Sequence, residues 1–139
     1  MPRRIQKIIT YERYHVVSVA KKGMRIFWTE GDYGTFMRMV SRYSTGRVQV
    51  MIFGLVGNHG HFLLKQICDG GVEKFMSILQ RQYSRAKGFP GSLFKSPFRA
   101  ERIADEDHYY RVLAYILRNP GKYKMVNLGR DGRSGLMIE

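Results

Sequence analysis

The stretch from Val48 to Gln66 constrains this chain most. Val48 to Phe53 alternates apolar and polar residues as a half-buried strand does, and His59 to Gln66 reads as a second strand. Gly54 and Gly57 lie between them and are expected to interrupt the first ladder, because glycine has no side chain to pack in a sheet. Two such runs in close succession form a β-hairpin.

Helical patterns flank this hairpin. On one side, Tyr33, Phe36, Met37 and Val40 are spaced as one helix face within Glu30 to Tyr43, and Ser44-Thr45-Gly46 ends the helix. On the other, Val72, Phe75, Met76, Leu79, Tyr83 and Ala86 form an amphipathic stripe that stops at Gly88-Phe89-Pro90. Tyr14 to Val19 predicts an earlier strand. Lys21 to Met24 reads as a turn, with Ile26-Phe27-Trp28 continuing the sheet or its edge. Phe98 to Ile103 predicts a later strand. Asp105 then caps a third helix that carries Tyr109, Val112, Leu113 and Ile116 and stops at Asn119-Pro120. The order strand, helix, strand, strand, helix, strand, helix predicts an α+β fold, a ferredoxin-like antiparallel sheet with packed helices. One domain over residues 1–139 is expected, with a basic arm at 1–9 and a Gly- and Arg-rich tail at 121–139 that shows no period.

Charge narrows the partner. The chain carries 24 Lys and Arg against 11 Asp and Glu, a net charge of +13. That excess calls for a polyanion, and its spread over several elements suits nucleic acid better than a membrane surface, which favours one basic amphipathic helix. The excess nearly vanishes after residue 104, where Asp105, Glu106 and Asp107 sit together. A single cysteine, Cys68, excludes an internal disulfide framework and a Cys-rich zinc site. With no signal peptide or membrane-length apolar run in view, a soluble cytoplasmic protein without membrane attachment is expected.

Three local features can carry chemistry. In Asn58-His59-Gly60-His61 the two histidines are two apart on a strand, so they share a face and can share a divalent metal ion. The plainer reading is a pair of histidines on an exposed strand face. Tyr83 lies on its helix's apolar stripe. It reads either as a core tyrosine or, at the stripe's edge, as a nucleophile for a phosphodiester, with Arg81 and Arg85 holding phosphates. Gly91 to Arg99 interleaves Phe94, Lys95, Phe98 and Arg99, a mixture that suits single-stranded nucleic acid.

Taken in order, these motifs resemble the REP-associated tyrosine transposases, within the single-tyrosine HUH transposases. The resemblance runs over residues 11–126. It rests on Tyr14-His15-Val16-Val17-Ser18, Asn58-His59-Gly60-His61, Lys74 to Tyr83, Gly91-Ser92-Leu93-Phe94 with Phe98-Arg99, and Tyr115-Ile116-Leu117-Arg118-Asn119-Pro120. It implies an HUH-endonuclease fold in a bacterial or archaeal, nucleoid-associated enzyme. Such an enzyme nicks and rejoins single-stranded hairpin DNA through a covalent 5′-phosphotyrosine. His59 and His61 would hold Mg²⁺ or Mn²⁺, and Tyr83 would be the nucleophile. Arg81, Arg85, Lys95, Arg99 and Arg102 would contact DNA. A homodimer is a further expectation, since related enzymes can complete one active site from two chains.

The sequence departs from that pattern in three places. Gly60 stands where a bulky apolar residue is usual between the histidines, and Val56-Gly57 replaces Met-Pro. No carboxamide follows Tyr83 by a helical turn to complete a metal site. Gln80 shares the face of Tyr83, and Lys87 occupies the expected position, so these two are the candidates for third ligand or for a charge that substitutes for it. The departures support a second reading, a domesticated nucleic-acid-binding protein without chemistry.

Overall fold

The computed structural model describes residues 7–56, 58–95, 98–118, 123–127 and 134–138. Strand β1 spans Arg13–Val19, helix α1 Glu30–Ser44, β2 Val48–Val56, β3 His59–Gln66, helix α2 Gly71–Ala86, β4 Arg99–Arg102 and helix α3 Glu106–Arg118. The sheet order is β2-β3-β1-β4, and every neighbouring pair is antiparallel. This is the ferredoxin-like α+β arrangement expected from the sequence.

Alternation along β1 and β3 divides the molecule into two sides. Tyr14 and Val16 of β1 and Phe62 and Leu64 of β3 face α1 and α2, where they join Phe36, Val40, Phe75, Met76 and Leu79 in the main core. Leu63 points the other way, into a smaller cluster with Ile52, Ile103, Val112 and Ile116 beneath α3. The sheet is therefore a wall, with α1 and α2 on one side and α3 on the other.

The register of β2 depends on an irregularity that periodicity alone does not disclose. Val50 pairs with Leu64, but Ile52 pairs with Leu63, so Met51 is the extra residue of a β-bulge. The bulge reverses the phase of the strand. Phe53 and Leu55 turn into the main core, and Gly54 comes opposite His61 on the α3 side. The expected break at Gly54 does not occur; β2 continues to Val56. A Cβ at Gly54 would lie 3.0 Å from Ile116 Cγ2, so the missing side chain is what allows α3 to approach the sheet. Gly60 also has a packing reason. Its Cβ position faces Leu55 and Phe62, each 3.3 Å away, whose side chains fill the space a larger residue would need.

Side chains cap the starts of α1 and α3, whereas α2 starts after Gly70 without a side-chain cap. Thr29 and Asp32 form a reciprocal capping box at α1. Asp105 Oδ1 accepts the His108 N–H at 2.8 Å at the start of α3. Helix α2 gives way at Gly88, whose φ of 83° is readily adopted by glycine.

Two expectations need correction. Ile26-Phe27-Trp28 is not a strand; the chain bends there so that Ile26 and Phe27 are buried in the main core. The tail is not without regular structure either: β5 (Tyr123–Asn127) pairs antiparallel with β6 (Ser134–Ile138) in a separate two-stranded sheet. The expected helix stop at Asn119-Pro120 and most of the basic arm lie outside the described residues. Ile8, at the arm's end, packs on the core, and its carbonyl accepts from Gln66 Nε2 at 3.3 Å.

The close approach at Gly54 has a measurable consequence. Gly54→Val is expected to destabilise the fold by about 1–3 kcal/mol through overpacking against Ile116. Ile116→Ala in the same chain should add less than its full cost, because the two residues share one space. Urea unfolding of the two single variants and the double variant measures this; strict additivity would count against the contact.

Candidate functional site

On the α3 side of the sheet, β1 and β3 bring three histidines together. His59 and His61 lie two apart on β3 with their rings parallel, 6.1 Å between centroids and 15° between planes. His15 reaches across from β1. Its Nε2 lies 3.2 Å from His61 Nδ1, and the two rings stack at 5.4 Å. Val17, not His15, is the direct partner of His61, so this contact is diagonal across the ladder.

The hydrogen bonds assign roles to the ring nitrogens. Asn58 Oδ1 lies 2.7 Å from His59 Nδ1. A carboxamide oxygen only accepts, so His59 Nδ1 is the donor in this pair and Nε2 is left for another partner. His61 is engaged through the same atom, Nδ1, with His15 as its partner. Burial, with the neighbouring His15 and His59 acting in the same direction, lowers the His61 pKa to about 4. Burial also lowers His15, helped by Arg99 and His108 and opposed by the Glu101 carboxylate, which pulls it upward. Both rings are therefore neutral near pH 7, the form in which an imidazole offers a lone pair.

Helix α3 contributes a tyrosine to this cluster. The Tyr115 ring centroid lies 5.4 Å from that of His61 at 76°, and 6.3 Å from that of His15. Tyr115 is 51% exposed while His61 is 7% exposed. The phenol thus sits at the mouth of the site with the imidazoles below it. In the sequence Tyr115 stands only within the helix-ending motif Tyr115 to Pro120, which assigns it no role. The available signal was its position: it precedes the buried Ile116 and lies off the apolar stripe.

The residues first expected to complete the site lie elsewhere. Tyr83 is fully buried in the main core, on the far side of the sheet from His59 and His61. Its hydroxyl donates to the Ile26 carbonyl at 2.6 Å, and Phe36 meets its ring edge-on at 5.0 Å. Burial, with Asp32 and Tyr33 nearby, raises its pKa far above the ordinary phenol range. The expectation of Tyr83 as nucleophile is therefore corrected: its oxygen is neither accessible nor readily ionised, in this chain or toward a partner chain.

The third-ligand candidates fare the same way. Gln80 Nε2 donates to Ser18 Oγ at 2.6 Å on the core side of β1. Lys87 pairs with Asp32 at 2.6 Å and lies 5.1 Å above the Trp28 ring. Burial alone would raise the Asp32 carboxyl; the Lys87 ammonium and the Trp28 and Thr29 N–H groups outweigh it and hold the pKa below the usual value. Lys87 therefore fastens the start of α1 to the end of α2 and does not substitute for a metal ion at the histidines.

Of the basic residues singled out, Arg99 is close enough to His15 to depress its pKa, so it borders the histidine side. Arg81 and Arg85 are exposed on α2, across the sheet. Arg102 is paired with Glu12 at 3.3 Å, and Lys95 is exposed just beyond the bridge between Ala20 and Phe94.

Among the described residues, no group of three or more His, Cys, Asp or Glu side chains is arranged to hold a metal ion. His59 and His61 could offer an ion two imidazole donors, since each engages a neighbour through Nδ1 and has Nε2 left over. Two imidazole donors suit Mn²⁺ better than Mg²⁺, which prefers oxygen, and either ion can complete its shell with water and phosphate oxygens.

A solved structure described as a REP-associated tyrosine transposase bound to a REP hairpin superposes on this chain with a TM-score of 0.69. The match covers 86% of this chain and 73% of that one at 14% sequence identity. At that identity the likeness is one of fold. No protein-family model matches the sequence, and no curated protein matches it. No helix among the described residues is long and apolar enough to cross a membrane.

The core role of Tyr83 is testable. Tyr83→Phe leaves the buried Ile26 carbonyl without its donor and should cost about 1–3 kcal/mol of stability. Thermal unfolding should show the loss; an unchanged midpoint would mean that the hydroxyl contributes nothing in the core.

Proposed function

We propose that this chain is a DNA strand transferase of the transposase type, in which Tyr115 is the nucleophile. The observation that supports it best is the half-exposed phenol 5.4 Å, ring to ring, from the buried His61. The charge of +13 and the fold shared with a transposase bound to a REP hairpin support the substrate class. That class is single-stranded DNA joined to a hairpin.

In the proposed reaction the Tyr115 oxygen attacks a backbone phosphorus. A bond forms between that oxygen and phosphorus, and the bond from phosphorus to the 3′ oxygen breaks. The proton lost by the phenol is balanced by the one gained by the departing 3′ oxygen. One phosphodiester replaces another, so the step can reverse: a free 3′ hydroxyl attacks the phosphotyrosine and rejoins the strand.

His59 and His61 would hold Mn²⁺ or Mg²⁺ through their Nε2 atoms. The bound ion would offset the charge that develops on the non-bridging phosphate oxygens. Asn58 and His15 keep the two rings oriented by engaging Nδ1. Arg99 adds a fixed positive charge beside the cluster. In this reading one chain supplies both the tyrosine and the histidines, and a partner is not needed to complete the site.

Two measurements test these assignments. Incubated with a single-stranded hairpin oligonucleotide and Mn²⁺ or Mg²⁺, wild type and Tyr83→Phe should both form a covalent protein–DNA adduct. Tyr115→Phe should form none; an adduct in that variant would sink the assignment. DNA binding without an adduct under any divalent ion would instead favour the non-catalytic reading. Separately, His15→Leu should weaken Mn²⁺ binding about 10–100-fold, the usual cost of losing a residue that orients a ligand. Calorimetric titration reads this directly, and His15→Asn, which can still accept from His61, should recover part of it. Equal Mn²⁺ affinity in wild type and His15→Leu would remove His15 from the site.

A further inference from the structure

Helix α3 turns Val112 and Ile116 into the sheet, and its outward side carries a shallow groove. Tyr110, Arg111, Ala114, Tyr115 and Arg118 line it, with Asp107 at its N-terminal end. These residues recur at about one helical turn, so the groove runs along the helix axis. It begins where the proposed nucleophile stands and has no role in the reaction described above.

Tyr110 is the unusual member. It is 60% exposed, yet its ring is held in place: Tyr109 meets it edge-on, with centroids 5.2 Å apart and planes at 88°. Tyr109 is itself covered by the Arg13 guanidinium, 4.4 Å from its centroid, and Arg13 is fixed by Glu106 at 3.2 Å. A chain of contacts from β1 thus presets the orientation of an aromatic ring without burying it. Such a ring can stack on a planar group at little cost in side-chain entropy.

The groove is lined by two arginines and one carboxylate, Asp107, which lies at its N-terminal end away from Tyr115, so the charge around the phenol favours an anion. Arg111 precedes Tyr115 by four residues and Arg118 follows it by three, so one cation lies a turn to either side of the phenol. Neither arginine is paired with an acidic side chain among the described residues. Ala114, the small residue between the two tyrosines, leaves the floor open. Tyr110 and Tyr115 are separated by five residues, about 7.5 Å along the axis, a spacing on the scale of one nucleotide.

From this arrangement we infer that the α3 groove is a nucleotide subsite of the same active site. Tyr110 stacks on the base next to the phosphate that Tyr115 attacks, while Arg111 and Arg118 bind the backbone phosphates on either side. The ligand class is single-stranded DNA, held by one stacked base and by charge, with little base discrimination, because every base presents a π face. The inference rests on the assignment of Tyr115, and the experiment separates the two.

The probe is a hairpin oligonucleotide with a single-stranded tail carrying one 2-aminopurine, moved stepwise along the tail. Binding is measured with the Tyr115→Phe protein, so that no strand is cut. Stacking on Tyr110 should quench the fluorophore at one tail position. In the added presence of Tyr110→Leu that quenching should fall several-fold, and Tyr110→Phe should retain it. Thermal midpoints should stay unchanged, as expected for an exposed ring. Arg111→Gln should lower the slope of log affinity against log salt by about one.

Equal quenching with Tyr and Leu at position 110 would overturn the subsite. So would a Tyr110→Leu effect confined to self-association, which would make the groove a contact between two copies of the chain. Failure of the nucleophile assignment would show differently, as a DNA adduct that survives Tyr115→Phe, while the quenching at position 110 would still report on the groove.

Discussion

The side-chain alternation of β3 governs everything that this fold can do. Phe62 and Leu64 are held in the main core while His61 and Leu63 face α3, and no small shift can exchange the two sets. The bulge at Met51 matters for the same reason. It returns Phe53 and Leu55 to the core after the phase of β2 has changed, and it places Gly54 opposite His61. A cluster of imidazoles, a helix that approaches the sheet at Gly54 and a half-exposed phenol meet at one place because two strands with different patterns are locked in one register.

The fold was largely legible in the sequence because its signals are local. The stripe from Val72 to Ala86, the alternation in β1 and β3 and the Asp105 cap each specify an element without reference to the rest. The misses have physical causes. Ile26 and Phe27 have the composition of a strand, but they are drawn into the core by packing around Phe36 and Tyr83 and form no ladder. The bulge leaves no mark on a pattern of hydrophobic residues, since both phases of β2 contain them. The β5–β6 pairing joins segments that have little periodicity of their own.

Of the candidate site, the histidine pair was legible in the sequence and the exposed tyrosine beside it was not. His59 and His61 announce themselves by their spacing. The choice between two tyrosines does not follow from the kind of residue or from its helix; it follows from the angle around the helix. Tyr83 belongs to its stripe and is buried with it, so its hydroxyl is committed to Ile26. Tyr115 lies beside its stripe, next to Ile116, and so reaches the sheet without being covered by it. The proposed reaction would need such a margin: a phenol fully enclosed would lose its substrate, and one fully outward would lose the histidines.

The two faces of the sheet also differ in how their helices are held. Helix α2 buries seven residues and α1 four, and Lys87 and Asp32 tie them together by a short ion pair. Helix α3 buries only Val112 and Ile116 along its length, and Arg13 holds it from outside through Tyr109 and Glu106. Burial contributes most of a helix's anchorage, so α1 and α2 form the rigid layer and α3 is the lightly fastened one. The polar groups follow the same division. On the α1–α2 side Tyr83, Gln80, Ser84 and Lys87 all spend their hydrogen bonds on structure. On the α3 side Tyr115 is half-exposed, and neither Arg111 nor Arg118 is paired with an acidic side chain among the described residues. On the side that stabilises the molecule these polar groups are committed to structure, and the side that carries little of the core can leave a phenol half-exposed beside its histidines.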